Sequence, residues 1–163
     1  MTTSVERGLS ARTRKFVLFP LGKKRFALPA EIIAELAQPD RLQTFPHTSR
    51  LLSGVLVRRG RIIPVCDVAQ VLVGPDAPAR KFYLIATRRF GRAMELTALP
   101  VTGECELASA EMLSPTTQMP EYVQGLLSLD DEIVEVVDLE KVIAFGSGRP
   151  LTTQKKAASE ARS

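Results

Sequence analysis

Residues 54–72 read Gly-Val-Leu-Val-Arg-Arg-Gly-Arg-Ile-Ile-Pro-Val-Cys-Asp-Val-Ala-Gln-Val-Leu, and residues 125–143 read Gly-Leu-Leu-Ser-Leu-Asp-Asp-Glu-Ile-Val-Glu-Val-Val-Asp-Leu-Glu-Lys-Val-Ile. Set 71 residues apart, the two stretches share an opening Gly, the apolar positions of two short strands and a closing Asp. In the first, residues 55–57 and 62–65 predict the strands of a hairpin. Arg58, Arg59, Gly60 and Arg61 turn its corner, Gly60 taking a backbone conformation that other residues resist. Asp67 stands where an N-cap would accept the unsatisfied amides of a short helix, and Gly74-Pro75 stops that helix. A second likeness places Lys15-Phe16 under Lys81-Phe82, 66 residues on, so a five-residue length change lies between the two registers. Two diverged copies of a small β unit explain this pattern better than one long sheet.

Outward from the repeat, the run from Lys15 and the run from Arg25 predict two strands about a turn at Gly22. Pro20 and Pro29 belong at strand ends or edges, because neither can donate to a ladder. Residues 31–36 read as an extended or bulged segment, followed by a polar link with Pro39 and Pro46. Further strands are expected from Lys81 and from Ala93 to Leu99, with a turn near Arg88 to Gly91. Residues 1–13 and 151–163 lack apolar periodicity and read as tails around a body at 14–150. That body divides into units 14–78 and 79–150. A unit of about 65 residues is marginal alone, so the two should pack their apolar faces together and unfold as one. The expected class is all-β, with paired small barrels and short helices; a single β-sandwich is the rival.

The 163 residues are 45% hydrophobic and 25% charged, with one His, two Cys and no Trp, which suits ordinary soluble domains. Formal charge is +4. Residues 1–25 carry seven Lys or Arg against one Glu, so the middle of the chain is mildly acidic and the basic excess sits near the ends. No apolar run reaches the length of a membrane span. Cys66 and Cys105 allow at most one disulfide, and the expected compartment is the cytoplasm.

Catalytic chemistry finds little to work with. His47 lies in a loop-like Phe-Pro-His-Thr-Ser without a neighbouring ligand, and Cys66 alternates with Val65 as a small core residue. Cys105 lies between Glu104 and Glu106, whose charges would raise a thiol pKa. Asp130, Asp131 and Glu132 form an acidic turn best read as a solvated hairpin tip, and the recurrence of Asp67 at Asp138 suits capping. No enzyme, metal or cofactor is therefore expected. The basic corner of Arg58, Arg59 and Arg61 contrasts with an acidic corner at the equivalent place in the second copy, a charge division suited to steering protein partners. The alternative is a small β-barrel nucleic-acid binder using those arginines with Arg88, Arg89 and Arg92. Against it, aromatic content is 6%, and no strand interleaves aromatic and basic residues.

These residues resemble the CheW family of chemotaxis coupling proteins. The likeness rests on Phe16-Val-Leu-Phe-Pro-Leu-Gly22, Phe26-Ala-Leu-Pro29, Pro46, residues 54–68, Gly125 and Val136-Val-Asp-Leu-Glu-Lys-Val, and covers roughly residues 15 to 145. The resemblance implies two tandem SH3-like five-stranded barrels packed about a shared hydrophobic seam, without catalytic activity. It implies an adaptor linking the cytoplasmic tips of methyl-accepting chemoreceptors to the regulatory domain of a CheA-type histidine kinase. Such a protein is cytoplasmic, does not insert into membrane itself and is recruited to receptor arrays. Receptor binding would use a groove between the barrels. Arg59 and Gly60 match the family's Arg-Gly pair, making Arg59 the foremost partner-binding residue, with Leu56, Val57, Arg58 and Arg61 around it. Val57 replaces the family's usual Asn and Arg58 its usual Leu, and residues 92–99 lack the Asp common in the second-half strand.

Overall fold

The computed structural model describes residues 12–37, 51–75 and 78–147; the expected tails, the link with Pro39 and Pro46, and His47 lie outside the described residues. Ten strands form: β1 (Thr13–Leu21), β2 (Lys24–Pro29), β3 (Ile33–Ala37), β4 (Leu52–Arg58), β5 (Arg61–Cys66), β6 (Phe82–Phe90), β7 (Ala93–Val101), β8 (Glu106–Glu111), β9 (Val123–Leu129) and β10 (Glu132–Val137). A 3-10 turn at Ala30–Ile32 precedes β3, and two short helices, α1 (Ala69–Leu72) and α2 (Leu139–Gly146), follow β5 and β10. The extended segment expected at residues 31–36 thus starts two residues later, and it is bulged between Ile33 and Glu35.

Two five-stranded sheets result, ordered β8-β1-β2-β10-β9 and β3-β6-β7-β5-β4, consistent with tandem SH3-like barrels. In both, the parallel pair sits at the same place, β2 with β10 and β5 with β7. The units 14–78 and 79–150 are not the two sheets. The first sheet joins the opening hairpin of the first copy to the last three strands of the second copy, and the second sheet does the reverse. The crossing occurs where the three-residue turn at Ala30–Ile32 carries the chain from the first sheet to the second.

Both faces of the opening strands are apolar because both are covered. In β1, Phe16 and Leu18 point into the first barrel, while Phe19 and Leu21 enter the seam between the barrels. Among the described residues the seam holds 16 buried apolar side chains, against six in each barrel interior. Most of the apolar burial is therefore shared, so neither barrel keeps its core without the other. Phe19 and Phe26, opposite each other on β1 and β2, enter the seam side by side with ring centroids 6.0 Å apart, and Leu139, Val142 and Ile143 of α2 pack onto it. Gly146 lets the helices close up: a Cβ there would lie 2.8 Å from Val71 Cγ2 and 3.0 Å from Leu51 Cδ1.

Asp138 caps α2, its Oδ1 accepting from the Lys141 amide at 3.2 Å. Its counterpart Asp67 does not cap α1 with its side chain. It accepts instead from Arg80 Nε at 3.1 Å and Nη2 at 2.6 Å, and from Gln70 Nε2 at 3.3 Å. A helix of four residues offers a cap little, whereas a fork-shaped guanidinium offers a carboxylate two bonds. Hairpin β1–β2 has six paired positions and β6–β7 has nine, so the β6–β7 hairpin, which turns at Gly91, is six residues longer, one more than the net difference of five between the two registers.

Candidate functional site

At the β4–β5 tip Arg58 opposes Arg61, and the two residues between them are both left-handed, Arg59 at φ 52° and Gly60 at φ 75°. A two-residue hairpin loop of this hand needs positive φ twice, so Gly60 alone does not suffice and Arg59 follows it into the unfavourable region. The turn throws the Arg59 side chain outward, 79% exposed, while that of Arg58 is 21% exposed. Arg58 Nη2 donates to Glu35 Oε1 at 3.3 Å, and Arg59 Nη2 reaches the same oxygen only at 3.7 Å. Glu35, on β3, is a member of this cluster that sequence reasoning missed: nothing local marks a strand carboxylate whose partners come 23 residues later.

Of the expected site residues, Arg58, Arg59, Gly60, Arg61 and Val57 gather at this tip. Val57 lies directly opposite Ile62, and both are exposed, at 48% and 71%. Leu56 does not join them. It is wholly buried among Ile63, Val65 and Ile85 in the barrel interior, so it supports the surface without forming part of it.

The equivalent tip of the other barrel inverts the charges. Asp130 is left-handed at φ 53° and Ile133 is 60% exposed. Here a single guanidinium, Arg25, serves two carboxylates: Nη2 donates to Glu132 Oε1 at 2.5 Å, Nε to Glu132 Oε2 at 3.3 Å and Nη1 to Glu106 Oε1 at 2.6 Å. The hydrogen bond from Arg25 holds the Glu132 carboxyl below its ordinary value, and Arg25 is raised chiefly by the same bond. The acidic turn is therefore partly neutralised by a strand arginine.

Between the barrels runs a groove of about 470 Å³. Pro29 and Ile32 line one side, the β6–β7 extension supplies Arg88, Arg89 and Met94, and Val137, Asp138, Leu139 and Glu140 come from the start of α2. Glu140 ties the extension to α2. Its Oε2 accepts from the Arg89 amide at 2.7 Å, and its Oε1 lies 3.7 Å from Arg88 Nε. Met94 also borders the hollow beside Arg61, Ile62 and Ile63, so groove and basic tip adjoin. Apolar floor with charged borders is the composition of a protein-docking surface. Arg58 and Arg88, counted for a nucleic-acid face, are turned toward carboxylates.

Cys66 and Cys105 are both free thiols. Cys66 is buried and lies 3.4 Å from Thr97 Oγ1, and the Cys105 thiol is pushed up to about 11 by burial, not by its glutamate neighbours. Among the described residues no group of three or more His, Cys, Asp or Glu could hold a metal, and no helix is long and apolar enough to cross a membrane.

Comparison with known proteins agrees with this architecture. The family model of the CheW-like domain matches residues 15–145. A chemotaxis protein CheW of Klebsiella aerogenes is 23% identical over 138 residues, covering 80% of this chain and 82% of that protein. Protein FrzA of Myxococcus xanthus is 24% identical over 149 residues, covering 85% of this chain and 92% of that protein. The crystal structure of the scaffolding protein TtCheW from Thermoanaerobacter tengcongensis superposes with a TM-score of 0.68 at 20% identity, over 79% of this chain and 86% of that one.

Proposed function

The chain belongs to the CheW-like domain family, and from that premise we propose that it is a non-enzymatic adaptor that links chemoreceptors to a CheA-type histidine kinase in a chemosensory array. The observation that carries this reading is the match of the family model across both barrels, residues 15–145, on a surface built for docking. Binding, not chemistry, is its work. We further assign the groove between the barrels to the helical hairpin tip of the receptor. Ile32, Met94 and Leu139 supply the apolar floor that an amphipathic helix needs, and Arg89 and Glu140 supply borders of opposite sign. Barrel surfaces outside the groove meet the regulatory domain of the kinase. Individual contacts of this kind are modest in area, and repetition in an array retains the adaptor through effective concentration.

The test is co-sedimentation of the purified chain with receptor-containing membranes and the cognate kinase. Retention with each partner separately is the expected result, and failure to bind either one overturns the proposal. Met94→Asp places a charge on the groove floor and is expected to lower receptor retention while kinase retention persists.

A further inference from the structure

Two features of the second copy have no counterpart in the first. The β6–β7 hairpin is six residues longer than β1–β2, and position 140 carries a glutamate where its repeat equivalent, Ala69, is wholly buried. The two features meet in space. β3 pairs with β6 only as far as Ala86, opposite Ile33, because residues 30–32 before it form the turn that crosses between the sheets. From Thr87 outward, among the described residues, β6 keeps β7 on one side and has no strand on the other, and a two-stranded ribbon is weakly held by its own bonds. Thr87 Oγ1 ties the root of this ribbon to the Ile32 carbonyl at 3.3 Å. Further out, the Arg89 amide donates to Glu140 Oε2 at 2.7 Å, and Glu140 Oε1 lies 3.7 Å from Arg88 Nε. Asp138 caps α2 two residues before Glu140, so the arm that reaches across starts from a fixed helix end.

We infer that Glu140 is a positioning residue for the receptor groove: by accepting the Arg89 amide it holds the β6–β7 extension against α2 as one wall of that groove. The inference rests on the adaptor reading above and names what sets the width of the same site. Arg88, Gly91 and Met94 line the groove from the extension, and Val137 and Leu139 line it from across. β6 belongs to one sheet and α2 follows a strand of the other, so the bond from Glu140 runs between barrels and not within one. A carboxylate suits the task, because it takes a short charge-assisted bond from an amide to which no neighbouring strand offers a carbonyl. Without that bond the extension swings on Thr87 and stands in the place that fits a helix only part of the time. A receptor then binds that fraction alone, and its apparent affinity falls by the same factor.

The experiment titrates the full chain with the purified cytoplasmic fragment of its receptor, measures kinase binding alongside, and follows hydrogen exchange of the Arg89 amide by NMR. Glu140→Ala is expected to weaken receptor binding about five- to tenfold, as for a wall in place about a tenth to a fifth of the time, with kinase binding within about twofold of the parent. In the same variant the Arg89 amide should exchange at least about tenfold faster. Glu140→Gln loses the charge but keeps an oxygen that accepts the amide, so it is expected to lose no more than about threefold in receptor binding, with the amide still protected. A Gln variant as weak as the Ala variant means that the receptor reads the charge of Glu140 directly, and overturns the inference. So does parent-like receptor binding by Glu140→Ala, or weak binding with the amide as protected as in the parent. An equal loss of kinase binding in Glu140→Ala overturns it too, by showing a change that reaches beyond the groove. A parent chain that does not bind the receptor at all fails the adaptor reading itself, a result separable from the others.

Discussion

At the β4–β5 tip one carboxylate, Glu35, faces two guanidiniums, whereas at the β9–β10 tip one guanidinium, Arg25, faces two carboxylates. Beneath this inversion the tips are alike: Arg59 and Asp130 take φ of 52° and 53°, and Ile62 and Ile133 both stand exposed. The backbone and the apolar spacing are what the hairpin needs, so both copies keep them. Charge at an exposed tip contributes little to folding, so it is free to differ and to specify a partner. The interiors repeat this division, with Leu56 and Leu127, 71 residues apart, each wholly buried in its own barrel.

That pair offers the sharpest break of the comparison. Leu56→Ala and Leu127→Ala are each expected to cost about 2–5 kcal/mol. Because every barrel holds strands of both copies, each variant should still unfold in one urea transition, with circular dichroism and tyrosine fluorescence coincident. Two separated transitions in either variant would show that the barrels are independent and the shared seam is not what unites them. The next largest effect separates two aspartates at one repeat position. Asp67→Ala takes from the largely buried Arg80 its carboxylate partner and should cost about 2–3 kcal/mol, while Asp138→Ala removes a cap and costs about 1 kcal/mol. The reverse ranking in thermal melts contradicts the different jobs assigned to them.

Smaller still is the relief of backbone strain. Arg59→Gly is expected to raise stability by about 0.5–1 kcal/mol, and Asp130→Gly by less, since Asp tolerates the left-handed region better than Arg. A loss of stability in Arg59→Gly denies that the turn is strained there. The subtlest test is acid. Because the Arg25 hydrogen bond lowers the folded pKa of Glu132, the contribution of the pair is full above the ordinary Glu value of about 4.3 and is lost as pH falls through the lower folded value. Glu132→Gln should therefore flatten the acid limb of the stability curve, and an unchanged limb in that variant disproves the link.

Local pattern made the hairpin strands, the turn at Gly60, the cap at Asp138 and the duplication legible, because each depends on neighbours in the chain. Asp67 shows where this stops: sequence alone assigned it the role of its twin, but Arg80, 13 residues on, claims its carboxylate. Leu56 shows the same from the other side, since a site motif does not reveal which alternating residue turns inward. Glu35 joins the basic tip, and Met94 and Glu140 the groove, only because elements distant in the chain come together there.

The sequence by itself determined the all-β class, two equivalent sets of strands and a chain poor in catalytic groups. Only the tertiary structure decided which strands pair across the copies. A repeat establishes which strands are equivalent, while pairing is chosen by what covers the two apolar faces of each hairpin. Here burying both faces at once exchanges the hairpins between barrels, and that exchange forms the shared seam and the groove beside it.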